Sequence, residues 1–467
     1  MEHFDVLAIG GGAAGLVTAA GAAGLGARAA LLEKERLGGE CLWSGCIPSK
    51  ALLAAARAVR EARHSTRLGV GVGEVVVDFP RVMARVRDAQ ARIEPQDSPE
   101  RFRALGVEVV LGAARFLDET QVAVDGRIFT ARHIVVATGS RPAAPLIPGL
   151  STVPYLTNET IFNLERLPAS LIVLGGGSVG LELGQALALL GSKVTIVEGQ
   201  ERVLPGEEPE LSTLLRASLE ADGLRILTGA AATSVSAAPG EVVVEAGGEQ
   251  LRAERLLVAT GRRPSVEGLE LNAAGVELGR DGIRVDRHLR TTAHGIWAAG
   301  DVVGPLRFTH VADYQARLVL RNALFPFARR TDYTVVPRVA YTDPELARVG
   351  LTEAEARERH GNRVRVWRRP FAFADRAIAD DRTEGLVKLI ADRRGHLLGA
   401  HVLGTGAGNM IGELVLAMRH RITLAQIADT IHPYPTYPEA VKQAAELQQR
   451  ARLTGLAGWL VRRLARR

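Results

Sequence analysis

The chain has two cysteines in 467 residues, Cys41 and Cys46, and both fall in GGECLWSGCIPSK at 38–50. Two thiols five residues apart need no chemistry, because free cysteine packs as a small apolar side chain. A close pair beside a Gly-Gly turn and Lys50 also has the makings of a dithiol that cycles through a disulfide. Two cysteines cannot make a secreted disulfide framework. With no further Cys or His beside them they are a poor zinc site, so no resident metal is expected.

Glycine spacing carries the second chemistry. DVLAIGGGAAGLVTAAGAAGLGARAALLEK near the start is echoed by SLIVLGGGSVGLELGQALALLGSKVTIVEG at 170–199. Each copy reads as apolar strand, glycine turn, helix, and second strand ending in an acid. Gly10, Gly12 and Gly15 precede Glu33, and Gly175, Gly177 and Gly180 precede Glu198. In such a unit the first glycine makes the turn, the second admits a pyrophosphate, and the third lets helix and strand approach. The helix N-terminus then offers amide donors, and the acid can bond an adenosine ribose.

Other elements must position these groups. HIVVATGSRP at 133–142 and RLLVATGRRP at 255–264 read as strands that close the two units. Residues 51–63 and 80–92 read as Arg- and Ala-rich helices, and TTAHGIWAAGDV at 291–302 as a strand entering a Gly-Asp turn. From about residue 337 the pattern becomes an antiparallel sheet with helices, including one over 411–420. Composition is 47% hydrophobic and 24% charged, so a sizeable core is expected. Net charge is +6, but no basic block interleaved with aromatics appears in the body of the chain, which argues against nucleic acid. No charged leader with a cleavage site and no apolar run of spanning length is evident, so a cytoplasmic location is expected.

Together these motifs resemble the flavoprotein pyridine nucleotide–disulfide oxidoreductases, which include dihydrolipoamide dehydrogenase, glutathione reductase and mercuric reductase. GGGAAG, GGECLWSGCIPSK, ATGSRP, GGGSVGLELG, VATGRRP, AAGDV, YTDPELARVGLTE and HPYPTYPE occur in family order from Asp5 to about Glu439. The resemblance implies an α/β fold with two Rossmann-like dinucleotide-binding domains, for FAD and NAD, and an α+β C-terminal dimerisation domain. The expected layout is an FAD-binding domain at 1–149, an NAD(P)-binding domain at 150–264 and a central segment at 265–336 completing the FAD region. An interface domain at 337–449 and a basic tail at 450–467 follow.

The family implies that the first unit binds FAD, with Glu33 on the adenosine ribose and Asp301 on the ribityl chain. Further cofactor contacts fall to Ala13, Ala14, Lys34, Gly39, Ala114, Thr138, Gly139, Ser140, Ser178, Val179, Gly261, Gly300 and Ala312. Glu198 favours NADH over NADPH, since a carboxylate accepts from a free 2′-hydroxyl and repels a 2′-phosphate; Arg202 is close enough in sequence to leave NADPH open. Cys46 would face the flavin, Cys41 would meet the acceptor, and placement at a helix start would lower thiolate pKa. Lys50 would sit near the flavin and pair with Glu182. A homodimer follows, because the family's C-terminal domain completes the partner's site.

The chain departs from the family near its end. The dehydrogenases place a histidine base where HPYPTYPEA has Tyr434, ahead of Glu439; His432 lies two residues upstream. Tyrosine is a poor base at neutral pH. Mercuric reductase is similar in having a tyrosine there, and its second active-site tyrosine matches Tyr155. This chain lacks that enzyme's C-terminal cysteine pair, and Trp43 replaces a small polar residue, reshaping the flavin or the acceptor side. The expectation is a mercuric reductase-like enzyme passing hydride from NADH through FAD and the dithiol to a disulfide or metal-ion acceptor. Its alternatives are a dihydrolipoamide dehydrogenase using His432, an NADH diaphorase for metal ions or quinones, and a non-enzymatic docking flavoprotein. In the tail, Leu453, Leu456, Leu460 and Leu464 at helical spacing, with Trp459 and arginines at 450, 452, 462, 463, 466 and 467, read as an amphipathic helix for an anionic membrane.

Overall fold

The computed structural model describes residues 2–453 and 456–465. Its first sheet has a parallel core in which Val107–Leu111, Ala29–Glu33, Glu2–Ile9 and Arg127–Val136 lie side by side. These strands are near-continuous apolar runs because helices cover a parallel sheet on both faces, and Leu7, Leu31 and Val136 are fully buried. The long strand Arg127–Val136 serves two partners. Its first half pairs antiparallel with Gln121–Val124, and its second half takes Ile296–Ala298 in parallel. That distant strand carries Gly300 and Asp301 to the edge where Gly10, Glu33 and Thr138 emerge.

The second unit repeats this plan. Arg225–Leu227, Lys193–Val197, Ser170–Leu174 and Arg255–Val258 form a parallel sheet, with an antiparallel meander over Ala232–Ala238, Glu241–Ala246 and Glu249–Ala253. The residues after the two Ala-Thr-Gly turns meet each other: Ser140–Pro142 pairs antiparallel with Arg262–Pro264. This two-stranded ribbon joins the units at the cleft.

The third layer is a five-stranded antiparallel sheet ordered Arg338–Ala340, Glu345–Gly350, Leu397–Gly404, Leu386–Ala391, Arg365–Pro370. The helix expected over 411–420 runs over Ala407–Arg419. Buried Lys388 ties this layer to the second unit, with Nζ at 2.7, 3.1 and 2.9 Å from Glu208, Glu210 and Glu353. An ammonium out of water needs such carboxylate partners.

Two helices matter most for the site. The one expected over 51–63 runs over Cys46–His64, with Gly45 as its N-cap. The one expected over 80–92 runs over Phe79–Ile93, capped by Asp78, which accepts from the Arg81 N–H at 3.1 Å. The tail differs from the expected single helix. Among the described residues Glu439–Leu453 and Leu456–Leu464 are two helices in place of one. Arg466, Arg467 and the side chains of Arg452, Arg462, Leu453, Leu456 and Leu460 lie outside the described residues. Among the described residues no helix is long and apolar enough to cross a membrane.

Candidate active site

The carboxyl edge of the first sheet, the helix Cys46–His64 and the ribbon enclose a cleft of about 2130 Å³. Pockets for ordinary small ligands run to roughly 300–1,000 Å³, so this one has room for an extended dinucleotide. Gly10 has φ +110°, and a Cβ there would strike the Ala137 carbonyl, while one on Gly15 would strike the Gly10 carbonyl. Glu33 braces the turn, accepting from the Gly11 N–H at 2.6 Å and the Glu35 N–H at 2.8 Å. The second unit repeats the arrangement, with Glu198 accepting from Gly176 and Gln200 N–H groups at 2.7 Å each. A carboxylate oxygen has lone pairs for a second donor, so these bonds leave room for a ribose hydroxyl.

The dithiol loop rests on the first glycine turn. Gly39 has φ +57°, and a Cβ there would lie 2.6 Å from Gly12 Cα. This contact brings the cysteines into the cleft. Cys46 is the first residue of the long helix, whereas Cys41 belongs to a separate five-residue helix, Gly39–Trp43. Only Cys46 therefore gains from the long helix's N-terminus, which corrects the expectation for the pair.

Both cysteines are free thiols. The hydrogen bond from Cys41 is the main cause that pulls Cys46 down to about 6; Thr309 and the Lys50 charge help, and burial opposes them. Thr309 Oγ1 lies 3.5 Å from Cys46 Sγ. The same contact and burial push Cys41 up. Of the two thiols Cys46 is therefore the more acidic.

Lys50 and Glu182 meet as the resemblance implied, at 2.8 Å, with the Glu182 side chain 6% exposed. The other Glu182 oxygen accepts from the Tyr341 N–H at 2.9 Å, and Lys50 Nζ stands 4.3 Å over the Tyr341 ring. At the ribbon, Ser140 donates to Asp301 Oδ2 at 2.7 Å, and Arg262 bonds both Ser140 and Glu40. Burial raises Glu40 to about 7, against the pull of Arg262. Thr309, Tyr341, Glu40 and Arg262 escaped the sequence reading. Tyr341 lay inside a quoted motif, while Thr309 reaches Cys46 from 263 residues away with no local signal.

Fourteen expected cofactor contacts from the first unit and the segments that complete it line this cleft: Gly10, Gly12, Ala13, Ala14, Glu33, Lys34, Gly39, Lys50, Thr138, Gly139, Ser140, Gly300, Asp301 and Ala312. Ser178 and Val179 enter it from the second unit. Gly300, at φ +83°, threads between Ala14 and Ala312, whose Cβ atoms a side chain there would meet at 3.3 and 3.5 Å. A glycine cradle at a helix N-terminus, an acid at the strand end and Asp301 fit FAD. Gly15 lies beneath the turn, and Gly175, Gly177, Gly180 and Glu198 stand at the second unit's own edge. Ala114 packs on the core under the first sheet instead of lining the cleft, and the Gly261 carbonyl accepts from the Ala143 N–H outside it.

The expected proton groups fare differently. Tyr155 packs against the core containing Leu150, Val153 and Leu256 and does not line the cleft. His432 pairs with Glu413 at 2.9 Å, not with Glu439, and its Nδ1 faces the Thr430 carbonyl at 3.0 Å. With both nitrogens engaged and its side chain 7% exposed, that ring presents no free nitrogen to a substrate. Tyr434 is 69% exposed and donates to Asp375 at 2.8 Å, a bond that raises its pKa. Glu439 accepts weakly from Gln443 at 3.4 Å and leaves its other oxygen buried without a partner. None of these three lines the cleft of its own chain.

The family model for pyridine nucleotide-disulphide oxidoreductases matches residues 4–316, and the model for that family's dimerisation domain matches 336–445. This chain belongs to that family. It is therefore an oxidoreductase of the FAD-dependent disulfide reductase class, with FAD and NAD(P) domains and a C-terminal dimerisation domain. Within the family it is 39% identical over 456 residues to a mercuric reductase of Streptomyces lividans, covering 95% of this chain and 96% of the relative. It is equally 39% identical over 456 residues to a dihydrolipoyl dehydrogenase of Chlorobaculum tepidum, with the same coverage. The Cu(II) complex of the HOCl-induced flavoprotein disulfide reductase RclA from Escherichia coli superposes with a TM-score of 0.87 at 30% identity, covering 96% of this chain and 100% of that one.

Proposed function

We propose that this protein is a homodimeric FAD enzyme that takes hydride from NADH and delivers two electrons through the Cys41–Cys46 disulfide to a disulfide or metal-ion acceptor. The observation that carries this reading is the placement of the dithiol: Cys41 and Cys46 line the cofactor cleft with Lys50, and Cys46 starts the long helix 3.5 Å from Thr309 Oγ1, where Cys41 pulls its thiol down. Bound FAD supplies the two-electron relay between nicotinamide and dithiol. The layout at 1–149, 150–264, 265–336 and 337–449 then separates cofactor cradle, nicotinamide site, cradle-closing segment and dimer face.

The residues act in sequence on a disulfide acceptor. As Cys41 attacks one acceptor sulfur, its proton passes to the Cys46 thiolate, and the acceptor's other sulfur leaves as a thiolate and takes a proton from water. Cys46 then attacks Cys41 as its proton passes to the departing sulfur, which releases the second acceptor thiol and reforms the Cys41–Cys46 bond. The Cys46 thiolate is thus the base of the first step, which calls on neither Tyr434 nor His432 of the same chain. Lys50, fixed by Glu182 and Tyr341, keeps positive charge beside the cofactor. Glu198 supports NADH over NADPH.

The test is NADH oxidation by the FAD-loaded protein with lipoamide, and separately with Hg(II) or Cu(II), alongside Cys41→Ser. Turnover with any of these acceptors that disappears in the variant supports the reading. Turnover that survives Cys41→Ser sinks it and favours direct diaphorase chemistry. The basic tail is proposed as a contact for anionic membranes; a chain ending at Gln449 that sediments with phosphatidylserine vesicles as well as the full chain would remove that role.

A further inference from the structure

Trp43 stands between the two cysteines, where the family has a small polar residue, and the sequence left open which side it serves. The structure ties it to the segment that follows Glu33. Its indole Nε1–H donates to the Leu37 carbonyl at 2.7 Å, and a Cβ on Gly38 would lie 3.2 Å from that nitrogen. The ring therefore lies over the segment linking Glu33 to Gly39. The Arg36 guanidinium stands 3.7 Å from the ring centroid. Gln90 holds the backbone beneath, donating to the Leu42 and Trp43 carbonyls at 3.0 and 2.9 Å.

Arg36 and Arg87 differ from the other cations lining the same cleft, and of the two only Arg36 rests on an aromatic ring among the described residues. Lys34 pairs with Glu35, Lys50 with Glu182, Arg141 with Glu267 and Arg262 with Glu40. Arg307 is spent on the carbonyls of Arg262 and Asp281. Among the described residues Arg36 meets no carboxylate, and its one contact is the indole face. It stands three residues before Gly39, the residue that rests on Gly12 of the glycine turn. A helix N-terminus offers about half a unit charge, which does not neutralise a diphosphate. A guanidinium held over an indole loses little further freedom on binding an anion and can offer its fork bidentately.

We propose that Trp43 is the platform that holds Arg36 for the diphosphate of the bound dinucleotide, making this pair a second phosphate clamp opposite the glycine turn. The inference rests on the FAD reading above and extends it to two residues that reading does not use. Trp43 then belongs to the cofactor side of the loop, with Cys41 on the other side of the same short helix.

The experiment is FAD titration of the FAD-free protein, followed by flavin fluorescence at low and moderate salt, with no turnover required. Arg36→Ala is expected to weaken FAD about tenfold and to flatten the salt dependence, since it removes one charge-assisted contact. Trp43→Phe keeps an aromatic face and should stay within about threefold of wild type. Trp43→Ala should approach Arg36→Ala, and the double variant should be no worse than either single, because the two act as one unit. Arg87→Ala removes the other cation of the cleft that has no carboxylate and no aromatic platform among the described residues, and should leave FAD affinity unchanged. The proposal is overturned if Arg36→Ala binds FAD like wild type, if Arg87→Ala weakens it equally, or if Trp43 variants alter only the acceptor KM. Wild-type protein that takes up no FAD would sink the parent reading and not merely the clamp.

Discussion

The two nucleotide units are copies in sequence and in strand order, yet they present different sites. Gly10 and Gly175 share nearly the same φ, +110° and +109°, and Glu33 and Glu198 brace their turns with the same pair of backbone bonds. What differs is what lies above the turn. Gly12 is covered by Gly39 of the dithiol loop, whereas a Cβ on Gly177 would meet nothing within 4 Å. One local motif thus makes a roofed cradle suited to a resident cofactor and an open shelf suited to one that comes and goes. The roof is the dithiol segment itself, so binding the first nucleotide and positioning the thiols are one structural event.

The sharpest break of this comparison is at the roof's reactive end. Cys41→Ala should lower acceptor turnover at least a thousandfold while NADH still bleaches the flavin, because only the first unit carries the dithiol. In the same variant the midpoint for the Cys46 thiolate should rise. In the wild type the thiolate persists above about pH 6 and is lost as pH falls through that value, since its pKa is depressed chiefly by Cys41. A charge-transfer absorbance titration of the reduced protein reads this; a midpoint that stays put would show that Cys41 does not hold the charge.

The roof contact comes next. Gly39→Ala puts a side chain at φ +57° against Gly12. Left-handed strain and overpacking together should cost about 3 kcal/mol, or roughly a hundredfold in FAD retention. Gly177→Ala, at the second glycine of the other turn, meets no protein atom within 4 Å but stands where a pyrophosphate would approach, so it should raise the NADH KM and leave FAD retention unchanged. Equal losses in both would erase the distinction between roofed and open units.

Smaller effects sharpen it further. Glu198→Ala should narrow the preference for NADH over NADPH by about tenfold, the worth of one charge-assisted bond plus the repulsion it provides, with FAD content unchanged. The KM ratio measures this, and loss of FAD instead would mean the units are not independent. The smallest change is expected from Thr309→Val, which removes one weak contact to Cys46. The thiolate midpoint should move up by less than in Cys41→Ala, as read by the same titration.

The sequence was most legible where function is local. Each glycine turn, its acid and the Cys41–Cys46 loop are written within about thirty residues, and in both turns the acid bonds the glycine backbone. It was least legible where one segment meets another far along the chain. His432 and Glu439 looked like a shifted dyad because they are neighbours in sequence, but the fold brings Glu413 to His432 instead. Tyr155 looked catalytic by analogy and is drawn into the core of the second unit, since its ring is half-buried among Leu150 and Val153. The helix start at Cys46 was placed five residues late because Gly45, an unremarkable loop residue by type, takes the cap.

What the sequence determined by itself was the chemistry available: two dinucleotide turns, one dithiol, a lysine beside it, and no histidine in the usual place. These follow from residue type and short-range spacing, which need no knowledge of the rest of the chain. The tertiary structure decided which of these groups meet. Lys50 finds Glu182 across 132 residues, Cys46 finds Thr309 across 263, and the second unit's Arg262 finds Glu40 across 222. Such meetings depend on sheet order and on the ribbon that joins the units, because side chains on separate elements approach only where packing brings those elements together. A Cys46 thiol more acidic than that of Cys41 is a property of that packing, since neither cysteine alone would show it.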